Sequence, residues 1–331
     1  MRRKFPRAVT FARAVSAGVV VLGSSAAPAR ADDATVHLTF VGDVMLASEP
    51  GRAVTAGVDP FASFASEFAR ADAVIGNLEC PVATGGAPVD KAFTFRADPN
   101  VVPLLARYFT AISLANNHTG DYGPGAFVET IELLEHGNVP FFGGGRDLRA
   151  AHRALVLERH GVRIALLGYD EFLPRGFEAG SARPGVAWSE DDDVVTDIRA
   201  ARAHGADIVI PFLHWGWEYE PAPSARQRAL AHRMLDAGAD AVVGSHPHVT
   251  EGAEFYRGKP IVYSLGNFVF DGFDAPEAKL GWLLDLTLTK THVVSFRTEV
   301  ARIDERGLPA PDPSVPSPCG MNGVIAPCPA P

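Results

Sequence analysis

The chain has 331 residues, 47% hydrophobic and 21% charged, with a formal charge of −9. That balance excludes an intrinsically disordered chain, and three cysteines are too few for a disulfide-built scaffold. The first 31 residues hold six basic residues and no acid. The remainder carries 24 basic against 39 acidic residues, which argues against wrapping nucleic acid or lying on an anionic membrane.

Residues 1–31 read as a signal peptide. Arg2, Arg3, Lys4, Arg7 and Arg13 make a basic start, Ala14 to Gly23 an apolar stretch, and Ala29-Arg30-Ala31 a small-residue cleavage site. The opening Arg2-Arg3-Lys4-Phe5 leaves both general secretion and twin-arginine export open. The apolar stretch is shorter than the roughly 20 residues a bilayer needs. The expected protein is exported, periplasmic or extracellular, and membrane-associated only if the signal stays uncleaved. One domain is expected over 32–308, followed by a Pro-rich tail, 309–331, read as linker or disorder. Cys319 and Cys328 in that tail either close a small disulfide loop or stay free; Cys80 reads as a buried small hydrophobe.

The pattern predicts a strand over Thr35 to Val41, a helix over Pro60 to Arg70 and a strand at Ala73 to Ile75. A helix from Pro99 to Tyr108, a strand from Thr110 to Leu114 and a helix from Gly125 to His136 follow. Next come a strand from Val162 to Leu167, an acid-led helix from Asp191 to His204 and a buried-type strand from Asp207 to Leu213. A Ser-capped helix over Ser224 to Ala237 and strands at Ala241 to Val243 and Ile261 to Leu265 complete the alternation. Trp282 to Thr289 and Val293 to Arg302 read as an antiparallel pair.

Five of these strands end in turns carrying Asp43, Glu79, Asn117, His214 and the pair His246/His248. In open α/β sheets ligands bind at the carboxyl ends of strands, so separate ends can build one site. Asp, Glu, Asn and His form a mixed oxygen and nitrogen set that suits Mn, Fe or Zn, as one ion or two, better than Ca or Mg. His246-Pro247-His248 puts two imidazoles on one side of an extended segment. Each residue has a structural alternative: Asp43 as a turn residue, Glu79 as an ion-paired acid, Asn117 as a loop bridge, His214 as a core histidine. Trp215 and Trp217 read as packing walls, and the remaining histidines, apart from His118, as structural.

Gly42-Asp43-Val44-Met45-Leu46, Asn77-Leu78-Glu79, Ala115-Asn116-Asn117-His118, His214-Trp215-Gly216, Gly244-Ser245-His246-Pro247-His248 and Tyr263-Ser264-Leu265-Gly266-Asn267-Phe268 stand in that order. The set resembles the bacterial capsule synthesis (CapA-like, poly-γ-glutamate biosynthesis) family, a divergent branch of the calcineurin-like metallophosphoesterases. The resemblance implies an α/β fold, a four-layer αββα sandwich of two mixed β-sheets. It implies metal ligands at Asp43, Glu79, Asn117, His214, His246 and His248, with His118 as proton donor to a leaving group. Glu218 would orient His214 or touch substrate, and Asn116 and Asn267 would line the site. Two departures from the wider pattern stand out: Met45 replaces a ligand histidine, and Glu79 replaces the bridging aspartate. The resemblance implies a metal-dependent hydrolase acting on amide or phosphoryl bonds in poly-γ-glutamate biosynthesis. Its ligand would be an anionic polymer or a phosphorylated small molecule, with a membrane synthase as partner. The alternatives are a periplasmic metallophosphoesterase and a non-catalytic polymer-binding or export accessory protein.

Overall fold

Val36–Val44 is the strand around which the larger sheet is built. The computed structural model describes Met1 and residues 35–329, so the expected signal peptide lies outside the described residues. Val36–Val44 pairs in parallel with Ala73–Leu78, which continues into Ala111–Ser113 and Phe141–Phe142. Its other side pairs antiparallel with Leu280–Leu288 and, past the carboxyl end of that register, in parallel with Asn267–Val269. Leu280–Leu288 forms the expected antiparallel pair with Val293–Ile303.

The smaller sheet has six strands. Its order is Ala253–Tyr256, Lys259–Val262, Val242–Ser245, Ile208–His214, Val162–Asp170, Leu155–Arg159. Its three central strands are parallel and buried along nearly their whole length, as strands covered on both faces must be.

Three apolar cores stack in register with these layers. Between the sheets lie Leu38, Phe40 and Ile75 from one side and Ile164, Ile210, Phe212 and Val243 from the other. Phe40 meets Phe212 edge to face at 5.7 Å, a favoured aromatic geometry. Outside the larger sheet, Phe61, Phe64, Phe127, Ile131 and Leu134 come from the covering helices. Outside the smaller sheet, Val194, Ile198, Leu230 and Met234 do the same work. Helix, sheet, sheet, helix is the expected four-layer α/β order. The helix Ala225–Ala237 starts on a reciprocal Ser224 and Gln227 capping box and stops at Gly238, whose φ of 122° a side chain would disfavour.

The expected helix over Pro60 to Arg70 is a short 3₁₀ turn, Ala62–Phe64, followed by Ala65–Arg70. The helix Ser48–Thr55 and the strands Leu155–Arg159 and Ala253–Tyr256 were not foreseen.

The expectation of a disordered tail over 309–331 is corrected. Pro309–Pro311 and Pro318–Met321 pair with Val293–Ile303, and Val324–Pro327 closes a hairpin on the latter. Pro309, Pro311 and Pro327 sit on edge strands and Pro318 opens its strand, positions where a missing N–H is tolerated. Gly320 lies against the Phe296 ring, where any added Cβ would collide at 2.0 Å. Cys319 and Cys328 are joined in a disulfide. Among the described residues no helix is long and apolar enough to cross a membrane.

Candidate metal centre

The parallel strands of both sheets deliver their carboxyl ends to one place. Asp43 stands opposite Asn77 on one neighbour and Asn267 on the other. Across the smaller sheet, Asp170 stands opposite His214, and His214 opposite Ser245. Close approach requires Gly42, where a Cβ would lie 1.9 Å from the Gly266 carbonyl oxygen.

Asp43 is fully buried. Its Oδ1 accepts from Asn77 Nδ2 at 2.8 Å, and its Oδ2 accepts from the His246 backbone amide at 3.3 Å. Burial works against its ionisation. The His248 hydrogen bond and the neighbouring imidazoles overcome that and hold the carboxyl below its usual range. Glu79 is equally buried, and neither carboxylate oxygen has a hydrogen-bond partner. Burial, then the Asp43 charge, pushes its pKa well up.

The imidazoles meet these acids. His214 Nε2 lies 3.5 Å from Glu79 Oε1, 2.9 Å from Asn117 Oδ1 and 3.0 Å from His246 Nδ1. With its proton on Nδ1, facing Ser245 Oγ at 3.3 Å, His214 turns a lone pair on Nε2 toward Glu79. Burial brings this histidine down to about 3. His246 is pushed well below its ordinary value by burial and by His214 and His248, and its Nε2 is a buried orphan. His248 Nδ1 sits 2.9 Å from Asn267 Oδ1 and its Nε2 3.9 Å from Glu79 Oε1. His246 and His248 hold φ values of 100° and 59°, a left-handed backbone that non-glycine residues adopt at a cost of about 1–3 kcal/mol each.

Two ligand groups emerge, Glu79 with His214 and His246, and Asp43 with Glu79 and His248, each with donor atoms within 4.8 Å of one another. Glu79 belongs to both. Asn117 Oδ1 extends the first group through its contact with His214 Nε2. Buried carboxylate oxygens and an imidazole nitrogen without partners are costly unless a cation sits among them, so these residues fit a metal site. The Met45 position implied by the resemblance gives no imidazole. Its thioether accepts from the Ala47 amide at 3.1 Å, inside the apolar core.

The other expected residues divide. His118 is buried, and its Nδ1 lies 2.6 Å from Asp121 Oδ2. Burial lowers its pKa, with Asp121 opposing. Asn116 does not line the site with a free group. Its amide donates to Asn77 Oδ1 and the Leu78 carbonyl, and its Oδ1 accepts from the His118 amide and the Thr119 hydroxyl. Asn267 likewise is engaged with His248 and with the Ala278 carbonyl. Glu218 is exposed and shares no hydrogen bond with His214 among the described residues; Ser245 and Asn77 flank that imidazole instead.

Asn77, Asp121, Lys91 and Asp170 were missed. Asp121 lies three residues beyond His118 in the turn before Gly123–His136, and Asp170 ends a strand as the clustered residues do, so both stand where the sequence could have pointed. Lys91 has no such signal: it comes from an irregular loop and reaches Asn117 O at 2.9 Å and Asp121 Oδ1 at 3.0 Å. Phe172 packs on His246 at 5.0 Å, and Phe270 and Phe273 pack on His248 at 4.9 and 4.8 Å, walling the cluster from water.

The fold and the cluster together define a four-layer α/β protein whose strand ends assemble a buried carboxylate and imidazole centre compatible with metal. The sequence matches the family described as Bacterial capsule synthesis protein PGA_cap over residues 37–272, and the chain belongs to that family. It is 36% identical over 291 residues to the PGA biosynthesis protein CapA of Bacillus subtilis (strain 168), covering 84% of this chain and 74% of that protein. It is 35% identical over 248 residues to the capsule biosynthesis protein CapA of Bacillus anthracis, covering 71% of this chain and 59% of that protein. Among solved structures, NAD nucleotidase of Haemophilus influenzae superposes with a TM-score of 0.48 at 11% identity, over 84% of this chain and 54% of that one.

Proposed function

We propose that this protein is an exported, metal-dependent hydrolase of capsular polymer biosynthesis, cutting amide bonds in an anionic chain of the poly-γ-glutamate type. The observation that carries this is Glu79, a fully buried carboxylate with two partnerless oxygens, shared by both ligand groups. Glu79, Asn117, His214 and His246 would hold one divalent transition metal, and Asp43, Glu79 and His248 a second. When bound, such ions supply a Lewis acid for the scissile carbonyl and an activated water.

The chain's own residues supply the rest. Asp121 fixes the proton of His118 on Nδ1, so Nε2 is the nitrogen that exchanges a proton with the leaving amine. Lys91 secures the Asp121 carboxylate from its far side. The phenylalanine walls exclude bulk water, which strengthens every charge interaction inside. Export is supported by the basic, apolar and small-residue order of residues 1–31 and by the Cys319–Cys328 disulfide, a bond of oxidising compartments. A membrane-bound polymer synthase is the partner consistent with a processing role outside the cytoplasm.

Elemental analysis of protein purified without added metal, followed by incubation with poly-γ-glutamate and with an aryl phosphodiester, tests this. Bound transition metal and shortening of the polymer are expected. Absence of metal would leave a non-catalytic accessory, and turnover of the phosphodiester alone would leave a phosphoesterase.

A further inference from the structure

Beside the ligand cluster lies a cavity of about 430 Å³, lined by Lys91, Asn117, Asp121, Asp170, Phe172 and Phe177 among others. Asn117 belongs to its wall and also touches His214, so the cavity adjoins the metal centre. We propose that this cavity is a recognition subsite for a single carboxylate lying next to an amide N–H, with Lys91 holding the carboxylate and Asp170 accepting the N–H. It rests on the amide-hydrolase function proposed above and names the substrate chemistry of the same site.

Lys91 has three N–H donors. Two are engaged by the Asn117 carbonyl and by Asp121. The third has His118 Nδ1 at 3.1 Å, but that nitrogen carries the proton given to Asp121 and cannot accept. One ammonium donor is therefore left for a ligand. Lys91 is also the only cation among the described residues lining this cavity. Arg175, Arg96 and Arg183, cations that could otherwise neutralise a polyanion, are engaged elsewhere. Arg175 pairs with Glu178 and Glu190, Arg96 stacks on Tyr122, and Arg183 donates to the Glu178 carbonyl.

One cation matches one carboxylate. A phosphate monoester brings about −1.5 to −2 charges at neutral pH and would face Asp90 and Asp170 with no second cation. Asp170 sits at the buried end of its strand, opposite His214, and one carboxylate oxygen accepts from the Phe172 amide at 3.1 Å. The Glu171 amide also approaches this carboxylate, which keeps acceptor capacity toward the cavity it lines. Burial pushes this carboxyl up to about 7, and a donated N–H would draw it back down. Phe172 and Phe177 offer the apolar wall that methylenes between the two polar groups would cover. A γ-linked glutamyl unit carries these groups together, whereas a nucleotide or sugar phosphate does not.

The test is equilibrium binding by titration calorimetry on the full chain. The probes are a short γ-linked glutamate oligomer, the same oligomer with an ester oxygen replacing one amide N–H, and phenyl phosphate. The wild type should bind the amide oligomer about tenfold or more tighter than the ester and than phenyl phosphate. Lys91→Met should weaken the oligomer at least tenfold, with a native melting curve confirming that the variant folds. Asp170→Leu, which has no acceptor, should erase the amide-over-ester preference, with a native melting curve confirming that it folds. Unchanged oligomer affinity in a folded Lys91→Met, an amide-over-ester preference that survives a folded Asp170→Leu, or phenyl phosphate binding as tightly as the oligomer, would each overturn the subsite. Metal content and polymer shortening are not read in this titration, so loss of the hydrolase function and loss of the subsite register separately.

Discussion

Asn267 holds His248 at two points: its Oδ1 accepts from the ring Nδ1 at 2.9 Å, and its Nδ2 donates to the His248 carbonyl at 3.2 Å. The first bond fixes the tautomer that leaves Nε2 free toward Glu79, and the second braces a backbone held at φ 59°. Partners of this kind set ligand basicity and aim. Asn267→Ala should lower metal affinity about 10- to 100-fold in a competition titration against a chelating dye. Asn267→Asp keeps the acceptor and should recover most of that loss.

Glu79 lets stability and metal binding be moved in opposite directions. Without a cation, its buried carboxyl sits beside Asp43 and pays for desolvation with no hydrogen bond in return. Glu79→Gln should therefore keep or raise the melting temperature of chelator-treated protein at pH 8. The same change removes the ligand shared by both groups, so added Mn or Zn should no longer raise the melting point. Thermal scans with and without metal check both signs. A Glu79→Gln protein still stabilised by metal would move the ligand set elsewhere.

Under the proposed function, His118 and Asp121 would serve proton transfer rather than metal retention. His118→Ala should keep bound metal by elemental analysis and lose about 10²- to 10⁴-fold in turnover. Asp121→Asn leaves the imidazole in place with a weaker partner and should cost less. Because burial lowers the His118 pKa, little imidazolium is present at pH 7, so acidification should raise the fraction able to donate from Nε2 to the leaving amine, read as a rise on the acid side of the pH–rate profile.

The α/β alternation was legible because buried parallel strands, such as Ile208–His214 and Val242–Ser245, are nearly continuous apolar runs, whereas the four-layer order came only from the resemblance that the ordered motifs carry. The side chains that cluster were legible because Asp43, Glu79, Asn117, His214 and His246 stand at or just past strand ends. The bonds that aim them were not. Asn116 and Asn267 read as site-facing amides, yet both are engaged by partners 11 to 39 positions away in sequence, such as Asn77 Oδ1 and the Ala278 carbonyl. Lys91 was invisible because an irregular loop has no period. The ordered tail was misread because its proline content reads as linker or disorder, whereas edge strands and strand starts tolerate proline.

Glu251 gives the fold a pH dependence separate from the ligand cluster. Its Oε2 accepts from Gln227 Nε2 at 2.6 Å, while Oε1 is buried without a partner. Burial raises this carboxyl from 4.5 to about 7. The folded state then holds the proton more tightly than the unfolded chain. The resulting stabilisation is full below about 4.5 and is lost as pH rises through about 7. Glu251→Gln should raise the melting temperature at pH 8 by a few degrees and leave it nearly unchanged at pH 4, measured by calorimetry at both.

The C-terminal hairpin should matter to stability. Pro318–Met321 pairs with Val293–Ile303 and places Gly320 over Phe296, a residue of the core between the sheets. Thr298 binds this segment twice, its hydroxyl donating to the Pro318 carbonyl and its own carbonyl accepting from the Ser317 hydroxyl. Removing residues 309–331 exposes Phe296 and leaves the ladder groups of Val293–Ile303 open on that side. Deletion should lower the melting temperature by several degrees and increase aggregation through the uncovered edge. Cys319→Ser with Cys328→Ser keeps the strands and opens a loop with a sequence separation of 9, so it should cost less than deletion, about 2–3 kcal/mol by chain entropy. Equal melting points for the deletion and the full chain would mean that the hairpin rests on the sheet without supporting it.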